Sequence, residues 1–296
     1  ERYLRAALDS VIAQEFRDFE FVVIDDGSTD SSLHILQQCH DPRLKVHRIT
    51  HTGLIGALND GLARCAGSYI ARMDADDLSY PGRLSRQVKF LESRRDVSVV
   101  TCECDLLDEA GRVVGRKAGG VSDDMILELA AGNQIVHGSV MVRRAALPPA
   151  PVYPRPPEDY WLWVTMVRAG HRFHCLPEVL YGFRTHDERY SLPHAHSQSA
   201  GIVEVQWPLL QECMATRDLN QPSVRARLVR GWGSVAGAAY RSGDRQRGDQ
   251  ARRRLLELVR GHWEPELAAE ADHGIEAIVW GGCHWRFVWS LRWLQW

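Results

Sequence analysis

The sequence has no Cys-x-x-Cys pair, no apolar run long enough to cross a bilayer and no strong excess of either charge. Its seven cysteines are an odd number and scattered, so neither a disulfide framework nor a cysteine-based zinc site is indicated. Cys102 and Cys104 are the closest pair, and alternation along a strand would place both on one packing face. Without roughly 20 continuous apolar residues no membrane-spanning helix is expected. A formal net charge of -2 and a pI near 6.7 remove the basic bias of a phosphate-backbone binder, so no nucleic-acid partner is expected. Reduced cytoplasm is therefore the default compartment. The opening also lacks an initiator methionine, a signal peptide and a strand before the first helical stripe, Leu4, Ala7, Leu8, Val11 and Ile12, and it reads as a chain cropped at its N-terminus.

What is present is an ordinary globular composition, 45% hydrophobic and 25% charged over 296 residues, enough for one large domain and a smaller one. Apolar strand-like runs at Phe19 to Ile24, Leu44 to Ile49 and Ser68 to Met73 alternate with helical patterns at 31–39, 53–65 and 83–94. That alternation predicts an α/β fold with a mostly parallel sheet and helices on its faces. Val97 to Leu107 reads as a further strand leading to a turn at 109–112, and Val140 to Arg143 as another. Pro148 to Pro157 holds six prolines in ten residues, so a surface loop is expected there. Beyond Ser197 the pattern turns to long amphipathic helices, which divides the chain into 1–196 and a helical region, 197–296.

Two of the apolar runs end in acids: Val22-Val23-Ile24-Asp25-Asp26 and Arg72-Met73-Asp74-Ala75-Asp76-Asp77. In an open α/β sheet, ligands bind beyond the carboxyl ends of the strands, so two acidic strand ends can converge on one ligand. An Asp-x-Asp arrangement suits a hard divalent cation, and such a cation usually serves a phosphate-bearing substrate.

These segments resemble glycosyltransferase family 2, inverting enzymes of GT-A fold that use nucleotide sugars. The resemblance covers roughly residues 1 to 192. It is carried by the two acidic runs, by Gly53-Leu54-Ile55-Gly56-Ala57-Leu58-Asn59-Asp60-Gly61, by Pro81-Gly82-Arg83-Leu84, by Glu158-Asp159-Tyr160-Trp161-Leu162-Trp163 and by Leu180-Tyr181-Gly182-Phe183-Arg184-Thr185-His186. It implies a GT-A-like, Rossmann-type sheet flanked by helices, a nucleotide-sugar donor, a Mg²⁺ or Mn²⁺ cofactor, and a glycan, lipid-linked or protein acceptor in cell-surface glycan assembly.

By that resemblance Asp25 receives the imide N–H of the nucleotide base while Asp26 caps the following turn, and Asp74 holds the ribose or the metal's water shell. Asp76 binds the metal directly, with His186 as a further ligand, Arg184 sits near the diphosphate, and Arg83 pins the loop after the acidic motif at the donor side. Asp159 is the expected catalytic base, since inversion needs a carboxylate to take the acceptor hydroxyl's proton. Glu158, its neighbour, and His137 fall on the acceptor side. Two features depart from the family: its usual first strand has no counterpart, and Leu58 stands where an arginine often precedes Asn59.

A haloacid-type phosphatase is disfavoured because Leu78 follows the acids, and a receiver-type domain is too short to use Asp159. A catalytically inactive nucleotide-binding or interaction module of the same fold stays open. Trp285, Trp289, Trp293 and Trp296 line one face of a helical pattern flanked by Arg286 and Arg292. That stripe suits either internal packing or peripheral attachment to the inner face of the cell membrane.

Overall fold

The computed structural model describes residues 1–186 and 194–260, and the tryptophan stripe lies outside the described residues. The chain divides into two compact units, Glu1–Met125 with Gln134–Leu192, and Ile126–Asn133 with Pro193–Trp296.

In the first unit, helix α1 (Leu4–Ile12) buries Leu4, Ala7, Leu8 and Val11, the i, i+3, i+4, i+7 stripe of one face. Leu4 and Leu8 pack with Leu36 of α2 (Ser32–Gln37) and with Phe21 and Val23 of strand β1 (Phe21–Asp25). Strand β2 (Leu44–Arg48) lies parallel to β1 in a two-stranded sheet, with Asp25 opposite Arg48 at its end. Then follow α3 (Gly53–Arg64), β3 (Tyr69–Ala71), β4 (Leu78–Ser79), α4 (Arg83–Ser93), β5 (Val97–Leu107), β6 (Val113–Lys117), α5 (Met125–Ala131), of which only Met125 belongs to this unit, β7 (Met141–Arg143), α6 (Glu158–Arg168) and β8 (Arg172–Arg184).

The second sheet runs β3-β7-β5-β8-β4, with β6 on β5. Only β5 and β8 pair in parallel; β3–β7, β5–β7, β5–β6 and β4–β8 are antiparallel. The α/β architecture with flanking helices is the expected one, but the sheet is mixed, not mostly parallel. Strand–helix alternation is broken at β3–β4 and again at β5–β6, where a tight turn at Asp108–Arg112 folds β6 straight back on β5, which only an antiparallel pair allows. The core is built from Leu84 and Leu91 of α4, Val97, Val100, Cys102 and Cys104 of β5, Met141 of β7, and Leu176, Leu180 and Tyr181 of β8.

In the second unit, α5 from Ile126 onward is held by α7 (Ala195–Thr216) and α8 (Pro222–Arg241), which α9 (Arg245–Arg260) follows. Buried Gln206 on α7 donates to the Ala130 carbonyl at 3.1 Å and accepts from Ser234 Oγ at 2.9 Å. Glu128 takes Arg227 at 2.9 Å and Arg230 at 3.0 Å. Trp207 meets Trp232 edge to face at 5.2 Å. No helix among the described residues is long and apolar enough to cross a membrane.

Candidate active site

β3 stops at Ala71 and the chain turns through Arg72 to Asp77 before β4. Arg72 grips Asp74 through both terminal nitrogens, a fork-to-carboxylate pair. Burial, opposed by the Arg72 charge, raises the Asp74 carboxyl above the usual range. Asp76 Oδ2 meets His186 Nε2 at 2.8 Å, joining residues 110 apart in sequence. Asp77 is buried, with Oδ2 accepting from the Tyr181 hydroxyl at 2.6 Å and Oδ1 from the Arg184 backbone N–H at 2.7 Å. Burial and then the Asp74 charge push its carboxyl up to about 8.

The residues fit a divalent cation. One ligand atom from each of Asp74, Asp76 and Asp77 lies within 4.8 Å of the others, and His186 adds an imidazole nitrogen. Two ligands held at about 2.1 Å around an octahedral ion stand about 3 Å apart. The 2.8 Å separation of Asp76 Oδ2 and His186 Nε2 is close to that.

Arg83 and Arg184, expected at the donor, both bond backbone carbonyls. Arg83 is 1% exposed; its Nη2 donates to the carbonyls of Arg72 at 2.9 Å and Val140 at 3.2 Å, and its guanidinium lies 4.9 Å from the Tyr181 ring centre. The Arg83 cation braces the backbone that carries the acids. Arg184, also buried, donates from Nε to the Asp76 carbonyl at 2.8 Å and from Nη1 to the Asp108 carbonyl at 3.0 Å, with its cation 4.4 Å from the Tyr3 ring centre. It ties three backbone segments together.

The expected division of labour between the first two acids is also revised. Asp25 closes the turn after β1, its Oδ1 accepting the Ser28 N–H at 2.9 Å. Its Oδ2 is buried without a hydrogen-bond partner and has Arg48 Nε 3.5 Å away. Asp26 instead caps α3 across the turn, taking the N–H groups of Thr52 at 2.7 Å and Gly53 at 2.8 Å. The capping reading failed because the unpaired N–H groups Asp26 satisfies lie 26 and 27 residues on.

On the acceptor side, His137 sits in a 3₁₀ turn (His137–Ser139), with Nε2 2.9 Å from the Tyr153 hydroxyl and its ring edge-on to Trp163 at 5.6 Å. Burial and then the Arg72 charge hold its pKa well below the usual value, so the imidazole is neutral. Tyr153 comes from the proline loop, which is anchored: Asn59 Nδ2 donates to the Tyr153 carbonyl at 2.9 Å and Asn59 Oδ1 accepts its N–H at 3.1 Å. Glu158 and Asp159 open α6, Glu158 buried and Asp159 half-buried. Burial and the Asp159 charge push the Glu158 carboxyl up to about 7, and the charges of Arg72 and Asp74 reach it too. The α6 acids and the Asp-rich turn thus share one electrostatic neighbourhood.

The sequence assigned no role to four participants: Arg72, Tyr153, Tyr181 and strand β8 itself. β8 carries Pro177 and Glu178 mid-strand, with register shifts against β5 at Cys102 to Cys104, so it shows no clean alternation. Tyr181 had a signal in Gly138, where an added Cβ would stand 2.0 Å from the Tyr181 hydroxyl. The ring is fully buried and fixed to Asp77, so it has nowhere to go. Gly138→Ala is expected to destabilise the fold by about 1–3 kcal/mol, read as a lowered urea midpoint. A cavity of about 550 Å³ opens beside His186, lined also by Arg2, Asp108, Glu109, Arg112 and Thr185.

A family model described as glycosyl transferase family 2 matches residues 1–145. The putative glycosyltransferase EpsE of Bacillus subtilis is 34% identical over 199 residues, 64% of this chain and 71% of that protein. The amylovoran biosynthesis glycosyltransferase AmsE of Erwinia amylovora is 30% identical over 186 residues, 61% of this chain and 70% of that protein. Among solved structures, S. aureus TarS 1-349 in complex with UDP-GlcNAc superposes with a TM-score of 0.60 at 19% identity, covering 94% of this chain and 85% of the other. The mannosyltransferase PcManGT from Pyrobaculum calidifontis, in complex with GDP-Man and Mn²⁺, gives 0.54 at 18% identity, covering 97% and 79%. At these identities the two structures establish a shared fold.

Proposed function

The chain belongs to glycosyl transferase family 2, and from that premise we propose that it is an inverting, metal-dependent hexosyltransferase. It moves a sugar from a nucleotide-diphosphate donor, UDP-linked in the first instance, to a hydroxyl acceptor in cell-surface glycan assembly. The observation that carries this reading is the meeting of Asp76 with His186 at 2.8 Å in the Asp-rich turn, whose Asp74 charge also reaches Glu158.

Asp76 and His186 would hold Mg²⁺ or Mn²⁺, with Asp74 turned to the ribose or the ion's water shell. Such an ion neutralises charge gained by the departing nucleoside diphosphate. The chain's own residues do the rest. Asp25 presents a buried carboxylate oxygen to a base N–H, which uracil and guanine both offer. Asp159 takes the proton of the acceptor hydroxyl as that oxygen attacks the anomeric carbon opposite the leaving group. Neutral His137, Glu158 and the anchored Tyr153 shape the acceptor side. The bound donors of the two structural neighbours, UDP-GlcNAc and GDP-Man, support a nucleotide sugar without choosing the base. The relatives named as glycosyltransferases support a transferase.

Calorimetric titration of UDP, GDP and ADP with and without Mn²⁺ tests the donor half. UDP is expected to bind in a Mn²⁺-dependent way, and Asp76→Ala to weaken that binding at least tenfold. Equal binding of all three nucleotides, indifferent to Mn²⁺ and to the substitution, would sink the proposal. Metal-dependent binding without turnover of any nucleotide sugar would favour the inactive module.

A further inference from the structure

The third acid of the turn has the composition of a metal ligand and the geometry of something else. We infer that Asp77 is a positioning residue: through Tyr181 and the Arg184 backbone it delivers His186 to Asp76 and so sets the separation of the two ligand atoms. The inference rests on the metal-centre reading above and asks what builds that centre.

Both carboxylate oxygens of Asp77 are already engaged, and by donors from one stretch of chain: the Tyr181 hydroxyl at 2.6 Å and the Arg184 N–H at 2.7 Å. The next residues continue the joint, since β4 pairs with β8, Leu78 opposite Gly182 and Ser79 opposite Tyr181. Arg184 returns the favour from Nε to the Asp76 carbonyl at 2.8 Å. Two residues further, His186 reaches Asp76. The acidic turn and the end of β8 are therefore stapled together immediately before the chain reaches the His186–Asp76 contact. Tyr181 is itself fixed, packed on Gly138 and faced by the Arg83 cation. At 1% exposure Asp77 has little open surface toward a solvent-borne ion, whereas Asp76 keeps about a third of its side chain exposed.

Two donors converge on the side chain at this position. An asparagine offers one oxygen and one NH2: with its oxygen on the Arg184 N–H, its NH2 faces the Tyr181 hydroxyl, which must then accept and is left, fully buried, with its own proton undonated. The end of β8 would loosen and His186 with it.

A double-mutant cycle on the full chain tests this with Mn²⁺ alone, read as free Mn²⁺ by electron paramagnetic resonance. Asp77→Asn and His186→Ala are each expected to weaken Mn²⁺ binding 10–100-fold. Together they should do no more than His186→Ala does alone, because Asp77 acts through His186. Additive losses would make Asp77 a ligand and overturn the inference; so would unchanged Mn²⁺ binding by folded Asp77→Asn. If Asp77→Asn does not fold, Tyr181→Phe, which removes one of the two staples and keeps the ring, is expected to weaken Mn²⁺ binding about threefold, and no change would overturn the inference. Imidazole ¹⁵N spectra supply a metal-free readout, with the His186 signal assigned by its loss in His186→Ala. Asp77→Asn or Tyr181→Phe should shift that signal, and an unmoved signal counts against the staple. Wild-type protein that binds no Mn²⁺ but shows the shift would retain the staple and refute the metal centre.

Discussion

Asp159→Asn is expected to lower kcat by about 10²–10⁴-fold while leaving nucleotide affinity within about twofold. The substitution keeps the shape of the side chain and removes its ability to take a proton. Asp159 stands in the first turn of α6, where a carboxylate is favoured by the unpaired N–H groups of the helix start. It is the half-buried member of the pair, Glu158 being 8% exposed, so it is the one with access to an incoming hydroxyl. Steady-state nucleotide release from a sugar donor, with nucleotide binding measured in parallel, checks the result. A loss confined to affinity would place Asp159 at the donor, and full activity would remove it from the chemistry.

Glu158→Gln should stabilise the protein in alkali and not in acid. The Glu158 carboxyl is shifted from 4.5 to about 7 by burial and then by the Asp159 charge. The folded state therefore keeps a proton between those values that the unfolded chain gives up. The contribution of this group to stability is fully present below about pH 4.5 and is lost as pH rises through about 7, because a buried carboxylate must then be carried beside Asp159. The shift corresponds to about 3 kcal/mol. Glutamine stays neutral throughout, so the Tm of the variant should gain on wild type by roughly 5–10 °C between pH 4.5 and pH 8.5. Parallel Tm curves across that range would show that Glu158 does not titrate there.

Much of the fold was legible because local pattern and burial agree. The stripe of α1, the apolar runs of β1 and β5 and the acidic strand ends all occupy elements whose periodicity matches their surroundings. What could not be read is what long-range pairing decides. Whether β7 lies parallel or antiparallel to β5 is not encoded in Met141-Val142-Arg143. The partner of a buried guanidinium is not either: Arg83 and Arg184 have the residue type of phosphate ligands, and only the structure shows their nitrogens already used by carbonyls. The same limit hid Asp26, whose acceptor role depends on where α3 begins.

The arginines of α8 and α9 give the second unit a character that chain-wide figures conceal. Between Arg225 and Arg260 there are ten arginines against Asp244, Asp249 and Glu257, within a chain of formal charge -2. At physiological ionic strength a charge is felt over about 8 Å, a distance shorter than either helix. An approaching ion or surface therefore meets a local field and not the molecular sum. At the pH where the whole molecule carries no net charge, this helical hairpin stays strongly cationic, and added salt, more than pH, governs what it attracts.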